Sequence, residues 1–354
     1  MSVLEETIAR IAPRDKDAAD RAKARLEQLT MPHWALGRLL DLAVDLAGIT
    51  GSVRPTVTRK TVIVMAGDHG VVAEGVTKYP QEVTVQMVAN FVNGGAGINA
   101  LARVAGAGVT VVDMGVAGDV TDLVTQGKVV SKKISPGTGN IAVGPAMSRE
   151  DAIRSVEAGI DVALTLRHSV DVMGTGDMGI GNTTPSAATV AAFTGASPEQ
   201  VTGRGAGLDD SQYGHKVSVV EKILRVNNPD PSDALDVLAK VGGFEIGGIA
   251  GLILGAASMR KPVVIDGLIS TAGALVAHGI EPRSAEYMIA AHKSVEKGHL
   301  IALNHLGKKP LLDLEMRLGE GTGAALAMVL IDAAFRIMTE VATFEEAAVS
   351  GAEQ

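Results

Sequence analysis

Four short apolar runs constrain this chain most: TVIVMAGD (61–68), VTVVDMG (109–115), VDVMGTGD (170–177) and PVVIDG (262–267). They lack the polar alternation of a strand with one wet face, so each reads as a strand buried on both faces. Longer segments with helical patterning, such as 80–103, 148–167 and 244–258, lie between them. Together they predict an α/β fold built on a doubly wound, mainly parallel sheet. Each run ends in a carboxylate or a glycine turn. In such sheets the carboxyl ends of the strands form the ligand crevice, so the chemistry is expected there.

Ahead of Pro55 the texture differs. Residues 15–29 are polar and helix-prone, Pro32 interrupts them, and a second helix is expected from near Trp34. Leu36, Leu39, Leu40, Ala43 and Ala47 would give that helix one apolar face. These stretches predict a smaller helical lobe.

The chain has 354 residues, of which 46% are hydrophobic but only 3% aromatic, and 42 are glycines. Close packing of helices on strands suits that balance; base-stacking platforms do not. A net charge of −8 gives no electrostatic case for a nucleic-acid partner. With no cysteine, disulfides, thiolate catalysis and zinc–thiolate sites are excluded. The start MSVLEETIAR lacks the apolar core of a secretory signal. No uninterrupted apolar run reaches the ~18 residues that span a bilayer. A cytoplasmic protein without a membrane partner is the expectation.

Three glycine clusters stand out: GTGDMGIGNTTPS (174–186), GRGAGLDD (203–210) and GEGTGAA (319–325). Glycine turns bring backbone N–H groups close to an anion, although each cluster alone could be a packed turn. Gly174, Gly176 and Gly179 fit a dinucleotide-binding pattern with Glu199 about 20 residues on. Asp177 inside that turn would face the pyrophosphate, which argues against a dinucleotide. PVVIDGLISTAG (262–273) looks superficially like a loop for phosphoribosyl pyrophosphate, but Asp266 is a single acid. No carboxylate set for Mg²⁺ is evident, so neither metal nor cofactor is expected. Asp68 and His69 are read as satisfying backbone groups at the crevice. His292 and His299, seven apart on an expected helix, are read as structural.

AGDHGV (66–71), YPQEVTVQM (79–87), GDMGIGNTTP (176–185), GGFEIGGIAG (242–251) and LGEGTGAA (318–325) occur in this order. Together they closely resemble the nicotinate-nucleotide–dimethylbenzimidazole phosphoribosyltransferase family of cobalamin biosynthesis, over about residues 30 to 340. The resemblance implies transfer of phosphoribose from nicotinate mononucleotide to 5,6-dimethylbenzimidazole. It also implies a homodimer, with a Rossmann-like domain and a small helical domain built from both chain ends. The small domain would comprise 1–54, about 280–315 and the C-terminal helix. The large domain would comprise about 55–279 and 316–335.

By the same resemblance Glu320 is the general base. Asp177 stands where the family commonly has Glu and should line the ribose end. Gly179, Gly181, Asn182, Thr183 and Lys216 are candidates for phosphate and ribose, with Asp266 and Ser294 on the donor side. Tyr79, Gln86, Met87 and Leu318 are expected around the acceptor base. Arg317 would bond either a ligand or local carbonyls. The chemistry asks for little more: a pyridinium departs as a neutral amine, and one carboxylate can take the proton the attacking benzimidazole loses.

Overall fold

The computed structural model describes residues 1–205 and 207–350. The four apolar runs form β1 (Lys60–Gly67), β2 (Ala107–Gly115), β4 (Val172–Met178) and β5 (Val263–Ile265). Two very short strands, β3 (Val130–Ser131) and β6 (Met288–Ala290), complete the sheet. Its order is β3-β2-β1-β4-β5-β6, and every neighbouring pair is parallel. Strand order reverses between β1 and β4, which opens a crevice at their carboxyl ends. The expected α/β doubly wound sheet is the observed one.

Two helices in the first third of the chain differ from expectation. The stretch 80–103 is two helices, Val83–Val92 and Gly97–Ala105, broken at Gly94, whose φ is +78°. The helix expected from near Trp34 begins only at Arg38, because Trp34 and Gly37 hold φ of +52° and +50°. Leu36 therefore lies outside it and is exposed, while Leu40, Ala43 and Ala47 are buried as read.

Glycines in GGFEIGGIAG serve packing. The Phe244–Ser258 helix lies on the Arg149–Thr165 helix so closely that a Cβ on Gly251 would sit 1.9 Å from the Val156 carbonyl oxygen. Only a bare backbone allows this approach. The Thr322–Glu340 helix is long and apolar enough to cross a bilayer, yet half of that stretch is buried inside the fold. It packs on the Gly97–Ala105 and Arg38–Thr50 helices and on β4.

Both chain ends meet. Leu29 bridges Thr343, and Arg25 bonds the carbonyls of Met338 and Val341 and the Glu346 carboxylate. Within 280–315, β6 is the edge strand of the sheet, and the Thr322–Glu340 helix runs unbroken past residue 335. We propose the two-lobe division on the strength of the paired chain ends, with β6 remaining bonded to the sheet.

Candidate active site

At the end of β1, Asp68 accepts the Ala117 amide at 2.8 Å and the Thr84 hydroxyl at 2.7 Å. It ties the end of β1 to the turn after β2 and to the start of the Val83–Val92 helix. His69 does something else: its Nε2 lies 2.9 Å from Glu245 Oε1, with both side chains almost wholly buried. The two neighbours thus do not share the one role expected of them. Sequence reasoning misses Glu245, because its surroundings read only as a glycine-rich apolar helix.

The crevice beyond these strand ends has a volume of about 740 Å³. Among its walls are Asp177, Gly179, Gly181, Asn182, Thr183, Lys216, Ser294, Glu320, Tyr79, Met87 and Leu318. Segments more than 240 residues apart in sequence converge here. Gln86 and Asp266 do not line it. Val83 and Met87, at i and i+4, face the crevice, and Gln86 lies off that row on the exposed side.

Glu320 stands between Gly319 and Gly321, and Gly319, Glu320 and Gly321 have left-handed backbones with φ of +82°, +63° and +89°. For a residue with a Cβ that conformation costs on the order of 1 kcal/mol. Three contacts hold it. The second glycine of the apparent dinucleotide pattern, Gly176, abuts the Glu320 backbone so tightly that a Cβ would come within 2.5 Å of its carbonyl oxygen. A pyrophosphate has no room there. Asp266 accepts the amides of Gly321 at 3.1 Å and Ala324 at 3.0 Å, fixing the turn and the helix start behind it. Finally, Glu320 Oε2 accepts the Ile98 amide at 2.9 Å, at the start of the Gly97–Ala105 helix. Burial pushes the Glu320 carboxyl above the ordinary range, while the Ile98 bond opposes that shift.

Asp177 is buried at the end of β4. Its Oδ2 accepts the Asn182 side-chain amide at 3.0 Å, and among the described residues its Oδ1 has no partner. Burial, then the nearby Asp266 charge, push it well above the ordinary carboxylate range. A carboxyl so placed favours its protonated form, which can donate a hydrogen bond.

The crevice also takes in Lys216, on the Asp210–Asn227 helix and only 1% exposed. Its Nζ donates to Thr183 Oγ1 at 2.7 Å. Thr183 begins a helix that runs to Thr194, so Lys216 and a helix N-terminus share one corner. Burial lowers the ammonium to about 8. Ser294 and His292 close this side beyond β6.

His292 is not on a helix with His299. It sits in an extended bridge to Leu312, whereas His299 belongs to the Lys297–His305 helix. Their rings still stack at 5.8 Å. Burial holds His299 down at about 4, and its ring nitrogens meet the Thr271 hydroxyl and the His292 carbonyl, a structural arrangement. Arg317 donates to the Gly205 carbonyl at 3.0 Å, and Lys78 to that of Gly207 at 2.7 Å. Among the described residues no group of three or more potential ligands could hold a metal ion.

A second cavity, about 710 Å³, lies between the Arg38–Thr50 helix and β6. It holds no strand-end carboxylate, and its Arg14 and Asp45 pair with each other at 2.6 Å. The chemical groups converge in the first crevice.

The model of the DBI_PRT phosphoribosyltransferase family matches residues 11–349. The chain is 63% identical over 350 residues to the nicotinate-nucleotide–dimethylbenzimidazole phosphoribosyltransferase of Syntrophotalea carbinolica, covering 99% of each. It is 58% identical to the Desulfotalea psychrophila protein of the same name, over the full length of both. A crystal structure of the enzyme so named from Thermus thermophilus superposes with a TM-score of 0.90 at 44% identity, covering 96% of this chain and 100% of that one. The chain belongs to the phosphoribosyltransferase family that these proteins represent.

Proposed function

We propose that this enzyme transfers the 5-phosphoribosyl group of nicotinate mononucleotide to 5,6-dimethylbenzimidazole. The products are nicotinate and α-ribazole 5′-phosphate, the precursor of the lower nucleotide of cobalamin. One observation carries the reading. A single crevice is lined by a carboxylate with raised proton affinity, Glu320, and by a buried ammonium, Lys216, at a helix N-terminus.

Phosphate binds Lys216 and the backbone of Gly179–Thr183, where the charge and the helix terminus both favour an anion. The acceptor ring lies along Tyr79, Met87 and Leu318. One ring nitrogen attacks the anomeric carbon on the face opposite the pyridinium, so the configuration inverts from β to α. The C–N bond to nicotinate breaks, and its electron pair returns to the pyridine nitrogen. Glu320 takes the proton from the acceptor's second nitrogen as the ring gains positive charge. Asp177, held toward its protonated form, donates to a ribose oxygen. Asp266 acts behind this centre by holding the turn on which Glu320 stands.

We take the enzyme to be a cytoplasmic homodimer. Tyr79 and Leu318 leave 50% and 61% of their surface exposed at the crevice mouth, an apolar rim suited to further cover.

The test is incubation with nicotinate mononucleotide and a panel of bases, read by mass spectrometry. Release of nicotinate with a ribazole phosphate is the expected result. Binding without nicotinate release would mark a sensor, and an NADH-linked absorbance change would mark an oxidoreductase.

A further inference from the structure

Glu296 lines the same crevice and has no part in the chemistry above. It occupies the N-cap position of the Lys297–His305 helix, where an acid ordinarily bonds the first helical amides. Here its side chain makes no capping hydrogen bond. The residue is 7% exposed, and among the described residues its Oε2 has no partner. Burying an unpaired carboxylate oxygen is costly, so a merely structural acid would take up the cap.

The geometry around it explains its orientation. Glu296 Oε2 lies against the backbone of Gly203, where any Cβ would fall 1.7 Å from it. Two residues on, a Cβ at Gly205 would lie 3.2 Å from both Lys216 Nζ and Thr183 Oγ1. The 203–205 segment thus runs with Glu296 packed on one glycine and Lys216 on the other. Arg317 donates to the Gly205 carbonyl, and Asp177 and His292 line the same crevice. The Thr183–Thr194 helix has no ionisable residue, and Glu199 and His215 are exposed. The charge that raises the proton affinity of Lys216 is Glu296, acting against the burial that lowers it.

We propose that Glu296 is a positioning residue for the donor phosphate: packed across the 203–205 glycine segment from Lys216, it keeps that buried ammonium protonated and ready for the anion. The inference rests on the reading of Lys216 as the phosphate's partner. The opposite effect, repulsion of the phosphate by a second anion in the pocket, makes the contrary prediction.

The experiment is the pH profile, from about pH 6 to 9.5, of kcat and of kcat/KM for nicotinate mononucleotide. It compares the parent with Glu296→Gln, Glu296→Asp and Lys216→Gln. Because kcat/KM reports the free enzyme, the parent should lose it along an alkaline limb near the Lys216 value of about 8. Lys216→Gln should lack that limb. In Glu296→Gln the limb should move to lower pH, with kcat/KM at about pH 8 falling roughly three- to tenfold and saturated kcat staying within about twofold. Glu296→Asp, which keeps the charge, should restore most of the loss. An unmoved limb, or a tighter KM in Glu296→Gln, overturns the proposal. A parent without the limb overturns it too, whether or not the variants fold. Failure of the parent to release nicotinate would instead overturn the assigned reaction.

Discussion

Glu320, the proposed base, stands on strained backbone, while Lys216, the proposed phosphate partner, stands in the middle of a regular helix. Glu320 sits in a run of three left-handed residues and is held by the Ile98 amide, which donates to its carboxylate, and by Asp266 through its neighbour Gly321. Lys216 needs no unusual backbone, and its anchor is a single hydroxyl. The difference fits the two proposed tasks. A base must present one oxygen at a defined place to a flat ring, and a tight glycine turn sets that place at a cost of about 1 kcal/mol. A phosphate is large and symmetric, so a rooted ammonium and a helix terminus suffice, and the difficulty shifts to keeping the charge.

That contrast can be broken or sharpened by substitution. The largest effect is expected at the base: Glu320→Gln should lower kcat about 10³-fold, with donor KM moved less than about threefold. Steady-state release of nicotinate measures both, and a change mainly in KM would erase the division of labour. Next is Lys216→Gln, which should raise donor KM roughly 10- to 100-fold and leave kcat nearly intact. Smaller, and confined to the strained end, is Gly321→Ala. A Cβ there would lie 2.3 Å from Val62 Cγ1 on a backbone with φ of +89°. A loss of about 2 kcal/mol in denaturant unfolding is expected, together with a fall in kcat as Glu320 shifts.

The smallest effect concerns Asp177. Its folded proton affinity is raised by burial and by Asp266, so its stabilising contribution is complete below the unfolded value, about 4. That contribution is lost as pH rises through the folded value. Asp177→Asn should therefore raise Tm by about 1–3 °C at about pH 7 and by much less at about pH 4. Calorimetry at the two pH values checks the sign; a lower Tm at neutral pH would mean the carboxylate is stabilised where it lies.

Four strands were legible because strands buried on both faces carry continuous apolar runs. β3 and β6 were not, since two or three residues are too few for any period to register. The helical start near Trp34 failed for a backbone reason, as positive φ at Trp34 and Gly37 leaves no mark in apolar spacing. Within the site, the motifs brought Glu320, Asp177, Lys216 and the 179–183 turn into one crevice. They could not tell whether an acid at a strand end faces a ligand or a helix terminus, and Asp266 bonds the latter. Glu296 was hidden for the complementary reason: an acid just before a helix reads as its cap, and only coordinates reveal that it makes none. The pairing of His69 with Glu245 joins residues far apart in the chain, beyond the reach of local spacing.

The place of the acceptor's ring nitrogen relative to Glu320 decides the mechanism. A crystal structure with 5,6-dimethylbenzimidazole bound would settle it. The expected result is a carboxylate oxygen of Glu320 about 2.6–3.2 Å from one ring nitrogen. A ring bound elsewhere in the crevice, with Glu320 bonded only to Ile98, would contradict it.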